Sequence, residues 1–105
     1  MSDTYHLIRR RIASREACVG ILGLGYVGLP LARAFAGAGF RVLGFDTDPG
    51  KVARLCRGES YLRHVPAEAV RAMRDRDFDA TEDLRRLREP DALLICVPTP
   101  LTEAR

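Results

Sequence analysis

Three glycines constrain this chain more than any other residues, because they stand where an apolar run turns into a helical pattern. The run Cys18-Val19-Gly20-Ile21-Leu22 leads into Gly23-x-Gly25-x-x-Gly28, and Leu29-Pro30-Leu31-Ala32 follows at once. A short apolar run of this kind reads as a buried parallel strand, here over about 18–23. Each glycine then has a physical task in a strand-turn-helix that holds a pyrophosphate. Gly23 permits the tight turn, Gly25 lets the backbone approach the phosphates, and Gly28 allows close packing of helix on sheet. The unpaired N–H groups of the first helical turn face an anion, and the helix dipole favours it. Pro30 suits that first turn, where a missing N–H has no partner to lose.

A glycine-rich turn alone is weak evidence, and its surroundings decide its meaning. After a helix over about 26–37, Gly37-Ala38-Gly39 stops the pattern, and Phe40-Arg41-Val42-Leu43-Gly44-Phe45-Asp46 reads as a second strand that ends in an acid. Asp46 stands eighteen residues after Gly28, close to the spacing of about 20 that places a carboxylate on a dinucleotide's ribose. The alternative is a β-α-β unit with an incidental glycine turn and a surface Asp.

With 105 residues the chain forms at most one domain, small for a dinucleotide enzyme. No apolar run approaches the ~20 residues of a membrane span, and residues 1–15 hold no continuous apolar core of a secretory signal. A cytoplasmic location is therefore expected, without membrane attachment. The net charge of +3 is mild. Arg9-Arg10-Arg11, Arg71/Arg74/Arg76 and Arg85/Arg86/Arg88 suggest a nucleic-acid surface. Acids interspersed among the later groups make solvated helix faces the better explanation, so no nucleic-acid partner is expected. Cys18, Cys56 and Cys96 show no metal-ligand or Cys-x-x-Cys spacing, and neither His6 nor His64 has a partner pattern. No metal and no catalytic nucleophile are assigned.

Residues 3–15 place Tyr5, Ile8 and Ile12 at near-helical spacing, which predicts a short amphipathic helix within 1–16, laid on the domain or on a partner. A membrane-surface helix is the sharper alternative. Asp48-Pro49 predicts an N-cap for a helix over about 49–57, with Val52 and Leu55 inward. Pro66 opens a further helix to about Met73. Phe78–Thr81 reads as a short third strand, and Thr81 as the start of a brief helix through Leu87. The run 91–97 is apolar throughout after Asp91, as in a strand buried on both faces. Alternation of this kind implies an α/β fold, a partial Rossmann-like doubly wound parallel sheet of about four strands in the order 3-2-1-4. Residues 17–105 would then be an incomplete dinucleotide-binding domain. Its ligand crevice lies beyond the carboxyl ends of strands one and four, where Gly23–Gly28 and Val97–Thr99 meet.

Four motifs in order carry a family resemblance. Gly23-Leu24-Gly25-Tyr26-Val27-Gly28-Leu29-Pro30-Leu31-Ala32, Gly44-Phe45-Asp46-x-Asp48-x-x-Lys51-Val52, Gly58-Glu59-Ser60-Tyr61 and Cys96-Val97-Pro98-Thr99-Pro100 together resemble the UDP-glucose/GDP-mannose dehydrogenase family, in the flavour of the UDP-N-acetylhexosamine 6-dehydrogenases. The resemblance implies NAD as cofactor. It implies contacts to the pyrophosphate from Tyr26 and Val27, and to the adenosine ribose from Asp46. Lys51 would stand beside the adenosine end, and Thr99 would contact the nicotinamide half. A carboxylate at Asp46 also favours a free 2′-hydroxyl over a 2′-phosphate. Lys51 reads equally well as a solvated helix lysine.

Family members oxidise a sugar C6 alcohol to a carboxylate in two NAD-dependent steps, through a thioester on a cysteine. The motifs for that cysteine and its lysine and asparagine helpers do not occur in this sequence. The expectation is an N-terminal fragment, inactive by itself, with a nucleotide-sugar partner only in a full-length enzyme. An open sheet edge would favour self-association. A stand-alone nucleotide-binding or regulatory module is the competing reading. A methyltransferase-like use of the fold fits the Tyr-Val-Gly-Leu-Pro and Val-Pro-Thr-Pro stretches less well.

Overall fold

A computed structural model of the chain describes residues 16–96. The helix expected over 3–15 and Thr99 lie outside the described residues. Four strands, β1 (Cys18–Leu22), β2 (Arg41–Phe45), β3 (Phe78–Thr81) and β4 (Ala92–Ile95), form one sheet in the order β3-β2-β1-β4. All three pairings are parallel, so the doubly wound order expected from the alternation is the observed one. The register sets Leu22 opposite both Phe45 and Ile95, with Phe45 opposite Thr81. The strands therefore end level, and Gly23, Asp46 and Cys96 leave the sheet along one edge.

Side-chain alternation sends Val19, Ile21, Val42, Phe78 and Ala80 into one core cluster. Three helices meet that face: α1 (Gly28–Gly37), α2 (Pro49–Cys56) and α3 (Ala67–Asp75). Leu29, Ala32 and Ala36 of α1 point inward, with Val52 and Leu55 of α2 and Ala69, Val70 and Met73 of α3. Right-handed crossovers that move along the sheet in one direction put their helices on one face. The crossover from β3 to β4 runs the other way. Its 3-10 segment, Leu84–Arg88, brings Leu87 onto the opposite face, against Cys18, Leu43 and Phe45.

Local chemistry accounts for the element ends. The Asp48 carboxylate accepts the Gly50 N–H at 2.9 Å and the Lys51 N–H at 3.4 Å, capping α2 ahead of Pro49. The brief helix expected from Thr81 starts later. Thr81 ends β3, and its hydroxyl accepts the Asp83 N–H at 3.0 Å, while Asp83 caps the segment by accepting the Arg85 N–H at 3.0 Å. Asp83 is the better-placed cap because Thr81 is committed to the ladder with Phe45. Arg85 and Arg86 lie against Asp83 and Glu89, at 3.0 and 2.8 Å. These arginines form ion pairs on an exposed face.

One expectation fails at β4. A strand apolar throughout was expected to be buried on both faces, yet Leu93, Leu94 and Ile95 are 39%, 37% and 66% exposed. The reason is position: among the described residues β4 is an edge strand, paired only with β1. On its inner side Ala92 and Leu94 border a wholly apolar groove of about 160 Å³, shared with Val19, Phe35 and Phe40. Nothing among the described residues fills it.

Candidate functional site

The turn after β1 is held by its backbone. Gly23 takes φ 100°, a left-handed conformation that a side chain resists, and its N–H donates to the Phe45 carbonyl at 2.7 Å. The chain then reaches α1, whose first backbone bonds run from Leu29 N–H to Gly25 O at 3.1 Å and from Leu31 N–H to Val27 O at 3.2 Å. No side chain caps the helix. Among the described residues, the N–H groups of Gly25, Tyr26, Val27 and Gly28 meet no protein acceptor. Unfilled donors at the start of a ten-residue helix make a place for an anion.

Space around the glycines sorts their roles. A Cβ built on Gly25 meets nothing within 4 Å, so the turn is open on that side. A Cβ on Gly28 would lie 1.6 Å from the Gly23 carbonyl oxygen and 3.3 Å from Ile21 Cγ2. The tight approach at Gly28 is therefore chiefly helix against turn, and only secondarily helix against sheet.

Leu24, between the first two glycines, is anchored on every side. Its side chain is fully buried over Gly44, where an added Cβ would come within 2.8 Å of it. Its N–H donates to Asp46 Oδ2 at 2.9 Å, and its carbonyl accepts the Tyr61 hydroxyl at 2.5 Å. The other Asp46 oxygen, Oδ1, accepts the Asp48 N–H at 2.9 Å. The acid at the end of β2 thus braces the turn while keeping lone pairs toward the cleft. Lys51 Nζ lies 5.6 Å from the centroid of the Tyr61 ring, within cation–π range. Burial pushes the Tyr61 hydroxyl's pKa upward, and the Asp46 and Asp48 carboxylates push it the same way. Tyr61 stays an O–H donor.

These groups enclose a cleft of about 690 Å³, lined by Gly23, Gly25, Tyr26, Asp46 and Lys51, with Ile95 and Cys96 from the end of β4. The level strand ends bring residues more than seventy positions apart into one crevice, at the point where strand order reverses. Tyr26 is 78% exposed at the rim and stacks on His64, with ring centroids 5.7 Å apart. Gly23, Gly25, Tyr26, Val27, Asp46 and Lys51 all line the cleft. Gly28 supports it from the helix start, and Thr99 is outside the described residues.

The family model described as "UDP-glucose/GDP-mannose dehydrogenase family, NAD binding domain" matches residues 17–105. The chain belongs to this family. It is 38% identical over 89 residues to UDP-N-acetyl-D-glucosamine 6-dehydrogenase of Pseudomonas aeruginosa, covering 85% of this chain and 20% of that protein. It is likewise 38% identical over 88 residues to UDP-N-acetyl-D-mannosamine dehydrogenase of Escherichia coli K12, covering 80% and 20%. Among solved structures, NDP-N-acetyl-D-galactosaminuronic acid dehydrogenase from Methanosarcina mazei superposes with TM-score 0.76 at 34% identity, over 95% of this chain and 23% of that one. The chain spans about a fifth of the length of the curated relatives it matches.

As the NAD-binding domain of this dehydrogenase family, the chain has NAD as its cofactor. The residues present fit it: open space over Gly25, unfilled N–H donors at the start of α1, and a carboxylate at the end of β2. Sequence reasoning missed Tyr61 and Leu24 as parts of the site. Tyr61 falls in the Gly58-Glu59-Ser60-Tyr61 motif, which had no physical task attached until its contact with the turn was visible. Ser60 shapes that connector: its hydroxyl accepts the Leu62 N–H at 3.1 Å and donates to the Val65 carbonyl.

Proposed function

We propose that the chain is the NAD-holding portion of a nucleotide-sugar 6-dehydrogenase that oxidises the C6 alcohol of a UDP-N-acetylhexosamine to the uronic acid. The observation that carries this reading is the convergence of the glycine turn, Asp46 and the end of β4 on one cleft, in a chain whose relatives are named for UDP-N-acetyl sugars. Bound there, NAD would supply the hydride acceptor for oxidation of the sugar. The chain's own residues bind and orient it. The N–H groups of Tyr26 and Val27 would face the pyrophosphate, with Gly23, Gly25 and Gly28 shaping the turn. Asp46 would accept from the adenosine ribose hydroxyls, Lys51 would stand at the adenosine end, and Thr99 would contact the nicotinamide half.

The chain supplies no nucleophile in this reading. Cys18 is buried in β1, and burial pushes its thiol pKa up. Cys56 directs its Sγ at the Ala80 carbonyl, 3.6 Å away. The sugar nucleotide is then met only in a full-length enzyme, and the chain alone is inactive. A cytoplasmic setting without membrane or nucleic-acid partners suits this role. No helix among the described residues is long and apolar enough to cross a membrane. The exposed edge of β4 favours association with a second copy of the chain.

Calorimetric titration with NAD and NADP tests the binding reading, and NADH absorbance with UDP-N-acetylglucosamine tests inactivity. NAD should bind more tightly than NADP, with no NADH formed. Tighter NADP binding, or turnover by the chain alone, would overturn the respective half.

A further inference from the structure

We propose that Tyr61 is a positioning residue for the cofactor: by holding the Leu24 carbonyl, it keeps the Gly28 N–H open to an anion. An α-helix pairs each N–H with the carbonyl four residues earlier. For Gly28 that carbonyl is Leu24's. The neighbouring bonds are made, Leu29 to Gly25 and Leu31 to Val27, yet the Leu24 carbonyl accepts Tyr61 Oη–H instead. The N–H of the same residue is taken by Asp46. With both ends of residue 24 engaged and its side chain packed on Gly44, the turn cannot wind back into the helix and consume the donor at Gly28.

Tyr61 is itself well fixed. Ser60 ties the connector to Leu62 and Val65, which form a local bridge, and Val65 is buried. The aromatic ring lies beside Lys51, a cleft residue, so one side chain arranges both the turn and a cation. Tyr61→Phe separates these roles: it removes the hydroxyl and keeps the ring.

The inference rests on NAD binding, and the experiment separates the two. In the full 105-residue chain, Tyr61→Phe should weaken NAD binding by about three- to tenfold, the range of one hydrogen bond's net worth. Amide hydrogen exchange of the NAD-free chain gives the second readout. In Tyr61→Phe the freed Leu24 carbonyl pairs with the Gly28 N–H, so the Gly28 amide should exchange more slowly than in wild type. General loosening would do the reverse. Unchanged NAD affinity, or a Gly28 amide that exchanges as fast or faster in the variant, overturns the proposal. Should wild type fail to bind NAD, the cofactor reading falls by itself, and the Gly28 comparison still decides the role of Tyr61. If Tyr61→Phe does not fold, wild type titrated with inorganic pyrophosphate decides: a shift of the Gly28 amide resonance supports the open donor, and a stationary one overturns it.

Discussion

The carbonyl oxygen of Gly23 occupies the place where a side chain at Gly28 would begin, 1.6 Å from an ideal Cβ. Two glycines of one motif are thus mutually required: the first turns the chain, and the last accepts the turn against its own Cα. Gly25, between them, has open space and is spared for something outside the protein.

Gly28→Ala should therefore damage the fold itself. The obstacle is backbone, which cannot swing aside as a flexible side chain would, and overpacking of this severity costs about 3 kcal/mol or more. Thermal unfolding followed by circular dichroism should show a midpoint lowered by more than about 10 °C. A midpoint within a degree or two of wild type would mean that the turn relaxes easily.

Gly25→Val should do the opposite. The new methyl groups project into open space, so the far-ultraviolet spectrum should remain close to wild type while calorimetry detects no NAD binding. Wild-type affinity in this variant would show that the turn is not where the pyrophosphate sits.

Asp46→Asn tests cofactor choice without deleting the side chain. The charge that disfavours a 2′-phosphate disappears, and the preference for NAD over NADP should shrink on the order of tenfold. The amide keeps one acceptor oxygen for the two N–H groups that Asp46 now serves, Leu24 and Asp48. Stability should fall by about 1 kcal/mol. Competition titrations with both dinucleotides check the preference, and an unaltered ratio would remove Asp46 from the selection.

Alkaline unfolding should report Tyr61. Its folded-state pKa is raised above the ordinary value of 10.0, by burial first and then by Asp46 and Asp48. A raised pKa gives stability that is fully present below the unfolded value and lost as pH climbs past it. Wild type should lose stability above about pH 10 more steeply than Tyr61→Phe, in which that titration is absent. Parallel urea midpoints from pH 9 to 11.5 make the comparison, and identical slopes would contradict the assigned environment.

The exposed β4 should make the isolated chain self-associate. Leu93, Leu94 and Ile95 leave apolar surface exposed on both faces of an edge strand, and such edges template pairing with further strands. Light scattering across a concentration series should show growing mass, reduced by Leu94→Lys. A lysine there also borders the apolar groove near Phe35 and Phe40, so some loss of stability should accompany it. A concentration-independent monomer would argue that the edge is covered.

Much of this molecule follows from local rules that a linear sequence carries. The glycine spacing marks the turn, Asp48-Pro49 marks the start of α2, and short apolar runs separated by helical patterns leave the strand order 3-2-1-4 as the consistent winding. Asp46 was legible for the same reason, since a parallel crossover places the end of β2 beside the end of β1 at a nearly constant chain distance. Tyr61 was not. Its hydroxyl meets Leu24 across 37 positions, through a connector whose path depends on Ser60, Leu62 and Val65 closing on one another. Nor does apolar composition distinguish a central strand from an edge strand, and β4 is exposed because, among the described residues, only β1 stands beside it. Periodicity and turn chemistry act between near neighbours and can be read in order. Which distant groups share a hydrogen bond, and which apolar strand is left uncovered, is decided only when the layers pack.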